Sequence, residues 1–259
     1  MYLPIGTKES INTCSERIEP FYMDFHQRNS ITDIAPQGFL MCEGGKIDWA
    51  CLANDAGSTV SNTLALADAV QVAVDFAAKH PAETLILVTG DHETGGLTIG
   101  YAGTDYDTYL ETLTNQTISY AQFDEQYVNG YQKNGSSFED AMKDVEKLFG
   151  LKLSGDEIDR LVLTEYETER LRTAYELAMS DYDAGDFTQE QYLLYGGYNP
   201  FSVTVTHILN NKSGVSFSSY SHTGLPVAVF AQGVGAEDFG GYYDNTAIYD
   251  KLASLVNVA

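Results

Sequence analysis

Basic side chains are scarce in this chain: 14 lysines and arginines stand against 37 aspartates and glutamates, leaving a net charge of −23. Nucleic-acid affinity rests on clustered Lys and Arg neutralising phosphates, so this charge argues against a phosphate-backbone binder. The same deficit disfavours anionic membrane surfaces. No run approaches eighteen apolar residues, which argues against a transmembrane helix. Residues Met1 to Ser10 hold no basic segment followed by an apolar stretch, so the chain as written is read without a secretory signal. Cysteine is sparse as well. Cys14, Cys42 and Cys51 are odd in number and show no CxxC spacing, which speaks against a disulfide framework or a thiolate zinc site. They read as small core hydrophobes. The acidity is compatible with metal binding, although a solvated acidic surface is its commoner cause.

What is present suits a globular protein. At 259 residues and 44% hydrophobic content, the chain is long enough and apolar enough to bury a full core. Residues 1 to 36 mix Pro4, Pro20 and Pro36 with scattered aromatics (Phe21, Tyr22, Phe25) and keep no steady period. A disordered or adventitious leader and a folded one both remain open there. From Gly38 the pattern sharpens. Gly38 to Cys42 reads as a short buried strand ending at Glu43-Gly44-Gly45. Asn54 to Ser58 is turn-like with Ser58 as a helix cap, and Val60, Leu64, Ala67, Val70, Val74 and Ala77 predict an amphipathic helix running to Lys79. Pro81 ends it. Thr84 to Thr89 then fits an interior strand, and strand, helix, strand in this order predicts a βαβ unit in a largely parallel sheet.

Residues 101 to 200 differ in composition. They carry twelve of the eighteen tyrosines, and the helical spacing of Phe138 to Phe149 and of Asp156 to Met179 predicts a helical insertion. It reads either as a surface excursion or as a pocket wall or dimer contact. Asp181 to Asp186 has the look of a calcium loop, but the glycine is one residue early and Tyr192 stands where a bidentate Glu is needed, so it is a turn. Ser202 to His207 alternates like a strand, Pro226 to Ala231 reads as another, and Asn245 to Val256 as a closing helix.

Three segments carry side chains suited to chemistry. Asp91-His92 directly follows the Thr84 to Thr89 strand, where ligand sites of open sheets gather. A carboxylate beside an imidazole suits zinc, and Gly95-Gly96 allows a tight turn beside a ligand. Glu43 and Asp48 flank Gly44-Gly45, which would bend the chain so that both carboxylates converge; a solvated turn is the competing reading. His222, in a polar loop before the Pro226 strand, is either a hydrogen-bonded surface residue or a ligand. His207 stays unassigned.

Taken together, three stretches closely resemble the alkaline phosphatase family: Phe39 to Asp48, Leu87 to Gly96, and His222-Thr223-Gly224. They occur in the family order, over about Gly38 to Val256. The resemblance implies an α/β fold with a mostly parallel central sheet flanked by helices. Residues 38–259 would form a partial domain with a helical insertion at about 101–200, and residues 1–37 a poorly matching leader. It further implies a magnesium ligand at Glu43, one zinc at Asp48 and His222, and a second zinc at Asp91 and His92. The activity implied is phosphomonoester hydrolysis through a phosphoserine, in a periplasmic or extracellular, usually dimeric, protein without nucleic-acid partners. Two departures stand out. The family places a zinc-binding histidine where this chain has Leu52, and no Asp-Ser-Ala segment supplies the nucleophile. The chain is therefore expected to be an incomplete, inactive fragment. The alternative is a non-catalytic metal-binding or interaction module; a related phosphodiesterase or phosphoglycerate mutase fits the Glu-Gly-Gly-Lys-Ile-Asp and His-Thr-Gly segments less well.

Overall fold

The branched and aliphatic run Leu85-Ile86-Leu87-Val88 suits a pleated strand, and in the computed structural model Leu85–Thr89 is one. The structure describes residues 2–4, 40–156 and 158–255. They divide into two compact units, one built from residues 1–46, 62–93 and 224–259, the other from residues 47–61 and 94–223.

In the first unit Leu85–Thr89 pairs with Val229–Gly233, in register from Leu85 opposite Gly233 to Thr89 opposite Val229. The pairing is antiparallel. The parallel neighbour expected from the strand-helix-strand pattern is not among the described pairings of this strand; the parallel ladder runs instead between Tyr2–Pro4 and Met41–Glu43. Gly233 has φ +108, and a Cβ there would collide with the Thr84 carbonyl, so only glycine closes this edge. The helix Ala56–Lys79 ends as expected before Pro81, where the His80 carbonyl accepts from Thr84 Oγ1 at 2.9 Å. The closing helix, Ala247–Leu255, follows an Asp244 whose Oδ1 accepts from Thr246 N at 3.0 Å. Beyond residues 2–4, the leader lies outside the described residues.

The second unit is mostly helical, and its core is aromatic. Phe123, Phe149 and Phe201 are fully buried with Leu171, Val205, Ile208 and Leu209. Phe138–Phe149 is a helix over the expected span, because Ser137 accepts from Asp140 N at 3.1 Å and Gly150 turns left-handed at φ +77. The next helix is Glu165–Met179 and does not begin at Asp156. Its start is set by a reciprocal cap: Thr164 Oγ1 accepts from Glu167 N at 3.2 Å, and Glu167 Oε2 accepts from Thr164 N at 2.8 Å. Asp181 to Asp186 is a turn, with Asp183 Oδ1 accepting from Gly185 N at 2.8 Å.

The strand expected at Ser202 to His207 is instead part of the helix Pro200–Ser213. Alternating Val and Thr suggest period two only if threonine must face water. Here both hydroxyls are satisfied within the helix, Thr204 Oγ1 donating to the Pro200 carbonyl at 2.7 Å and Thr206 Oγ1 to the Val203 carbonyl at 3.0 Å. They can then be buried on a helix enclosed nearly all round. The true signals are at the ends. Asn199 Oδ1 accepts from Phe201 N and Ser202 N, Pro200 occupies the first turn, and Gly214 ends the helix at φ +79. The cap of the Ala56–Lys79 helix also differs from the expected one. Asp55, fully buried, accepts from Ser58 N at 2.9 Å and Ser58 Oγ at 2.7 Å, so it and not Ser58 starts the Ala56–Lys79 helix.

Candidate metal centre

Asp48 lies in the first turn of the short helix Gly45–Leu52, and Leu52 follows one turn later on the same face. The glycines expected to bend the chain between Glu43 and Asp48 therefore lead into a helix. After Leu52 the chain reverses sharply. Asn54 adopts φ +54, its N–H donates to the Cys51 carbonyl at 2.9 Å, and Asp55 N donates to the Ala50 carbonyl at 2.8 Å. The turn is fastened to the buried Pro200–Ser213 helix by Asn210, whose Nδ2 donates to the Asn54 carbonyl at 2.6 Å and whose Oδ1 accepts from Ala56 N at 3.2 Å.

A second segment of the same unit brings His222. Gly95, with φ +81, is wedged so tightly that a Cβ would sit 2.7 Å from the Cys51 carbonyl and 2.8 Å from the Phe217 ring. Its N–H donates to the Ser221 carbonyl at 3.0 Å, and its carbonyl accepts from Ser218 N at 2.9 Å and Ser219 N at 3.1 Å. Asn54 Nδ2 also donates to the Ser219 carbonyl at 2.8 Å.

These turns bring Asp48 Oδ1 to 4.0 Å from His222 Nε2. Thr94 Oγ1 donates to the same Asp48 oxygen at 2.6 Å, which leaves the carboxylate oriented by a neutral hydroxyl. Beside them, Leu52, Ser221 and His222 line a cavity of about 340 Å³. The remaining candidate ligands, Glu43, Asp91 and His92, belong to the first unit. There Asp91 Oδ2 is 3.5 Å from His92 Nε2, and the Asp91 carbonyl accepts from Asn245 Nδ2 at 3.1 Å. Glu43 folds its carboxyl over the start of the Gly45–Leu52 helix, 3.2 Å from where a Cβ at Gly45 would stand.

The donors are one carboxylate and one imidazole in each pair, the hard and borderline ligands zinc accepts. Catalytic zinc takes three protein ligands, and within the second unit Leu52 lines the cavity without a lone pair to offer. The donor chemistry fits zinc in kind; the Asp48–His222 pair falls one ligand short within its own unit.

Several neighbours were not foreseen. Burial raises the Tyr198 phenol above its ordinary value, and the Asp48 charge adds to the shift. Its ring is 5.5 Å from Tyr120 and 6.2 Å from Tyr220, and Tyr220 Oη donates to the Leu194 carbonyl at 2.7 Å. His207, left unassigned by sequence, belongs to this group, with its ring 6.1 Å from Tyr220. Its residue surface is only partly covered, yet Nε2 is buried with no hydrogen-bond partner among the described residues. Burial, reinforced by the Arg170 charge and opposed by a hydrogen bond to Ala53, pushes it down to about 4. Only the tyrosine enrichment of residues 101 to 200 hinted at these rings; their convergence depends on the fold.

The class these features define is an α/β protein with an alkaline phosphatase-like fold. Solved alkaline phosphatase structures share it. The cold-active alkaline phosphatase of a psychrophilic Shewanella matches at TM-score 0.66 and 26% identity, over 95% of this chain and 50% of that one. The Thermus thermophilus alkaline phosphatase matches at TM-score 0.62 and 20% identity, over 84% and 43%, and speaks for the fold alone. The alkaline phosphatase family model matches residues 31–258, and the chain belongs to that family. Among curated relatives, alkaline phosphatase 3 of Bacillus subtilis is 30% identical over 81% of this chain and 38% of its own length. Alkaline phosphatase 4 of the same organism is 28% identical over 80% and 37%. The chain thus spans well under half the length of these relatives.

Proposed function

We propose that this chain supplies the metal-binding part of a phosphomonoester hydrolase. Asp48 and His222 would hold one zinc ion, Asp91 and His92 a second, and Glu43 a magnesium ion. The observation that carries the proposal is the 4.0 Å approach of Asp48 and His222, two zinc-type donors brought together from distant parts of the sequence. A bound metal pair of this kind supplies an activated oxygen nucleophile and stabilises charge on the leaving-group oxygen. The chain's own contribution is to orient the donors. Thr94 fixes the Asp48 carboxylate through its hydroxyl, and Gly95 holds the His222 loop in place. No Asp-Ser-Ala segment is present, so the chain by itself is proposed to turn over no monoester. The family reading extends to a periplasmic or extracellular setting and a homodimer. No helix among the described residues is long and apolar enough to cross a membrane.

The test measures zinc and magnesium content by elemental analysis after dialysis, alongside hydrolysis of a chromogenic aryl phosphate. The expected result is zinc uptake that drops when Asp91 and His92 are both replaced by alanine, with no turnover. Absence of zinc at micromolar free metal would refute metal binding, and turnover would refute inactivity. Leu52 favours a second reading, in which the fold persists as a non-catalytic interaction module. That reading expects no monoester hydrolysis even when an amino-terminal half from a relative is added.

A further inference from the structure

The turn between the Asp48 helix and the Ala56–Lys79 helix contains a residue whose geometry exceeds what a turn requires. Asn54 is left-handed at φ +54 and only 6% exposed. Left-handed termini are normally given to glycine, which adopts this conformation without a Cβ penalty. Asparagine is tolerated there because its short amide bonds locally. In this turn the amide also reaches far along the chain. One Nδ2 donates to two carbonyls, that of Cys51 at 2.9 Å and that of Ser219, 165 residues away, at 2.8 Å. Cys51 lies three residues after Asp48, and Ser219 three residues before His222. The two N–H bonds of a planar amide diverge at a fixed angle, so the side chain sets the spacing of the two segments that end in the donor pair. Asn210 holds the bracket from behind through the Asn54 carbonyl.

We infer that Asn54 is a positioning residue, a buried amide that fixes the His222 loop against the Asp48 helix and so sets the separation of the two donors. The inference takes Asp48 and His222 as ligands from the function proposed above, but it makes a claim that can be read without any metal. A mere helix terminator would gain or lose little on becoming glycine, since glycine satisfies the backbone equally well. A positioning amide would not be replaced.

The experiment compares hydrogen exchange in the full chain and its Asn54→Gly variant. The expected result is exchange at least about 10-fold faster across residues 217–223, with the Pro200–Ser213 helix as protected as in the parent. Zinc affinity, measured by chelator competition in a Leu52→His background, should fall by roughly 10-fold, the lower end of the cost of losing a group that bonds a ligand directly, because Asn54 acts through the backbone on either side of the donors. Asn54→Asp provides the second variant. It keeps the shape and the left-handed tolerance but turns an acceptor toward two carbonyls, and the same loop release is expected. Loop exchange within twofold of the parent in both variants would overturn the inference. So would loss of protection throughout the Pro200–Ser213 helix, which would make Asn54 a general core element. Failure of the Leu52→His parent to bind zinc would count against the proposed metal reading alone, because loop exchange is recorded in metal-free protein.

Discussion

Leu52→His places a donor on the cavity wall beside His222, where leucine offers none. Leu52 follows Asp48 by one helical turn and lines the same cavity as His222, so an imidazole there would stand beside the space that His222 borders. Leucine and histidine are similar in size, and Leu52 is only partly buried, so the imidazole nitrogens can stay solvated and the exchange should cost about 1 kcal/mol, the usual effect of a single substitution. The gain should be larger. Outer-shell partners alone change metal affinity by about 10- to 100-fold, so a direct ligand should contribute at least the upper end, about 2.7 kcal/mol. Zinc affinity is read by competition with a chromophoric chelator, and stability by thermal melting. At free zinc about 100 times the new dissociation constant, ligand linkage adds roughly 2.7 kcal/mol to unfolding. The gain must also depend on the partner: Leu52→His combined with His222→Ala should lose it, since coupled ligands are not additive. An unchanged affinity, or a gain that survives His222→Ala, would refute the reasoning.

Other outcomes follow from the same contacts. Thr94→Val removes the hydroxyl that donates to Asp48 at 2.6 Å and should lower zinc affinity of the Leu52→His protein by about 10-fold or more, read by the same competition. Phe201→Ala hollows the aromatic core between Phe123 and Tyr175 and should cost about 3–5 kcal/mol in urea unfolding. His207 should make the second unit acid-sensitive. Its folded value, about 4, lies below the ordinary histidine value of 6.5, so its contribution is complete above pH 6.5 and is lost as pH falls from there toward 4. The full loss is up to about 3 kcal/mol. Asp124, which burial pushes up to about 6, acts oppositely in an overlapping window: its protonated form is favoured in the folded state, so stability falls as pH rises from about 4 to 6. The test is therefore the difference between parent and His207→Phe in urea midpoints at pH 7 and pH 4.5. Parallel shifts in the two proteins would refute the assignment to His207.

The elements that were legible in the sequence are those whose ends and faces agree. Phe138–Phe149 has a serine cap, a terminal glycine and staggered apolar residues, and Leu85–Thr89 is a branched run between turns. The Pro200–Ser213 helix was misread because burial on nearly every side erases the amphipathic period, leaving only the Asn199-Pro200 start and the Gly214 stop to report it. Residues 156 to 163 had helical spacing, but the competing Thr164–Glu167 cap lies downstream and wins. At the candidate site, the sequence names candidate donors and the segments that carry them. The distances are not legible there, because they depend on Asn54 and Gly95, whose left-handed backbone and long-range bonds leave no periodic trace. The cluster of Tyr120, Tyr198 and Tyr220 is hidden for a similar reason: its segments meet only after the unit has folded.

The enclosure of the Pro200–Ser213 helix has an evolutionary consequence. A helix with a wet side can accept changes there one at a time. This one has almost no such side, and even its threonines and Asn210 are committed to particular partners. Substitutions in it should accumulate only together with matching changes in Phe123, Leu171, Tyr175 or the Asn54 turn, so covariation among relatives should be concentrated on this segment.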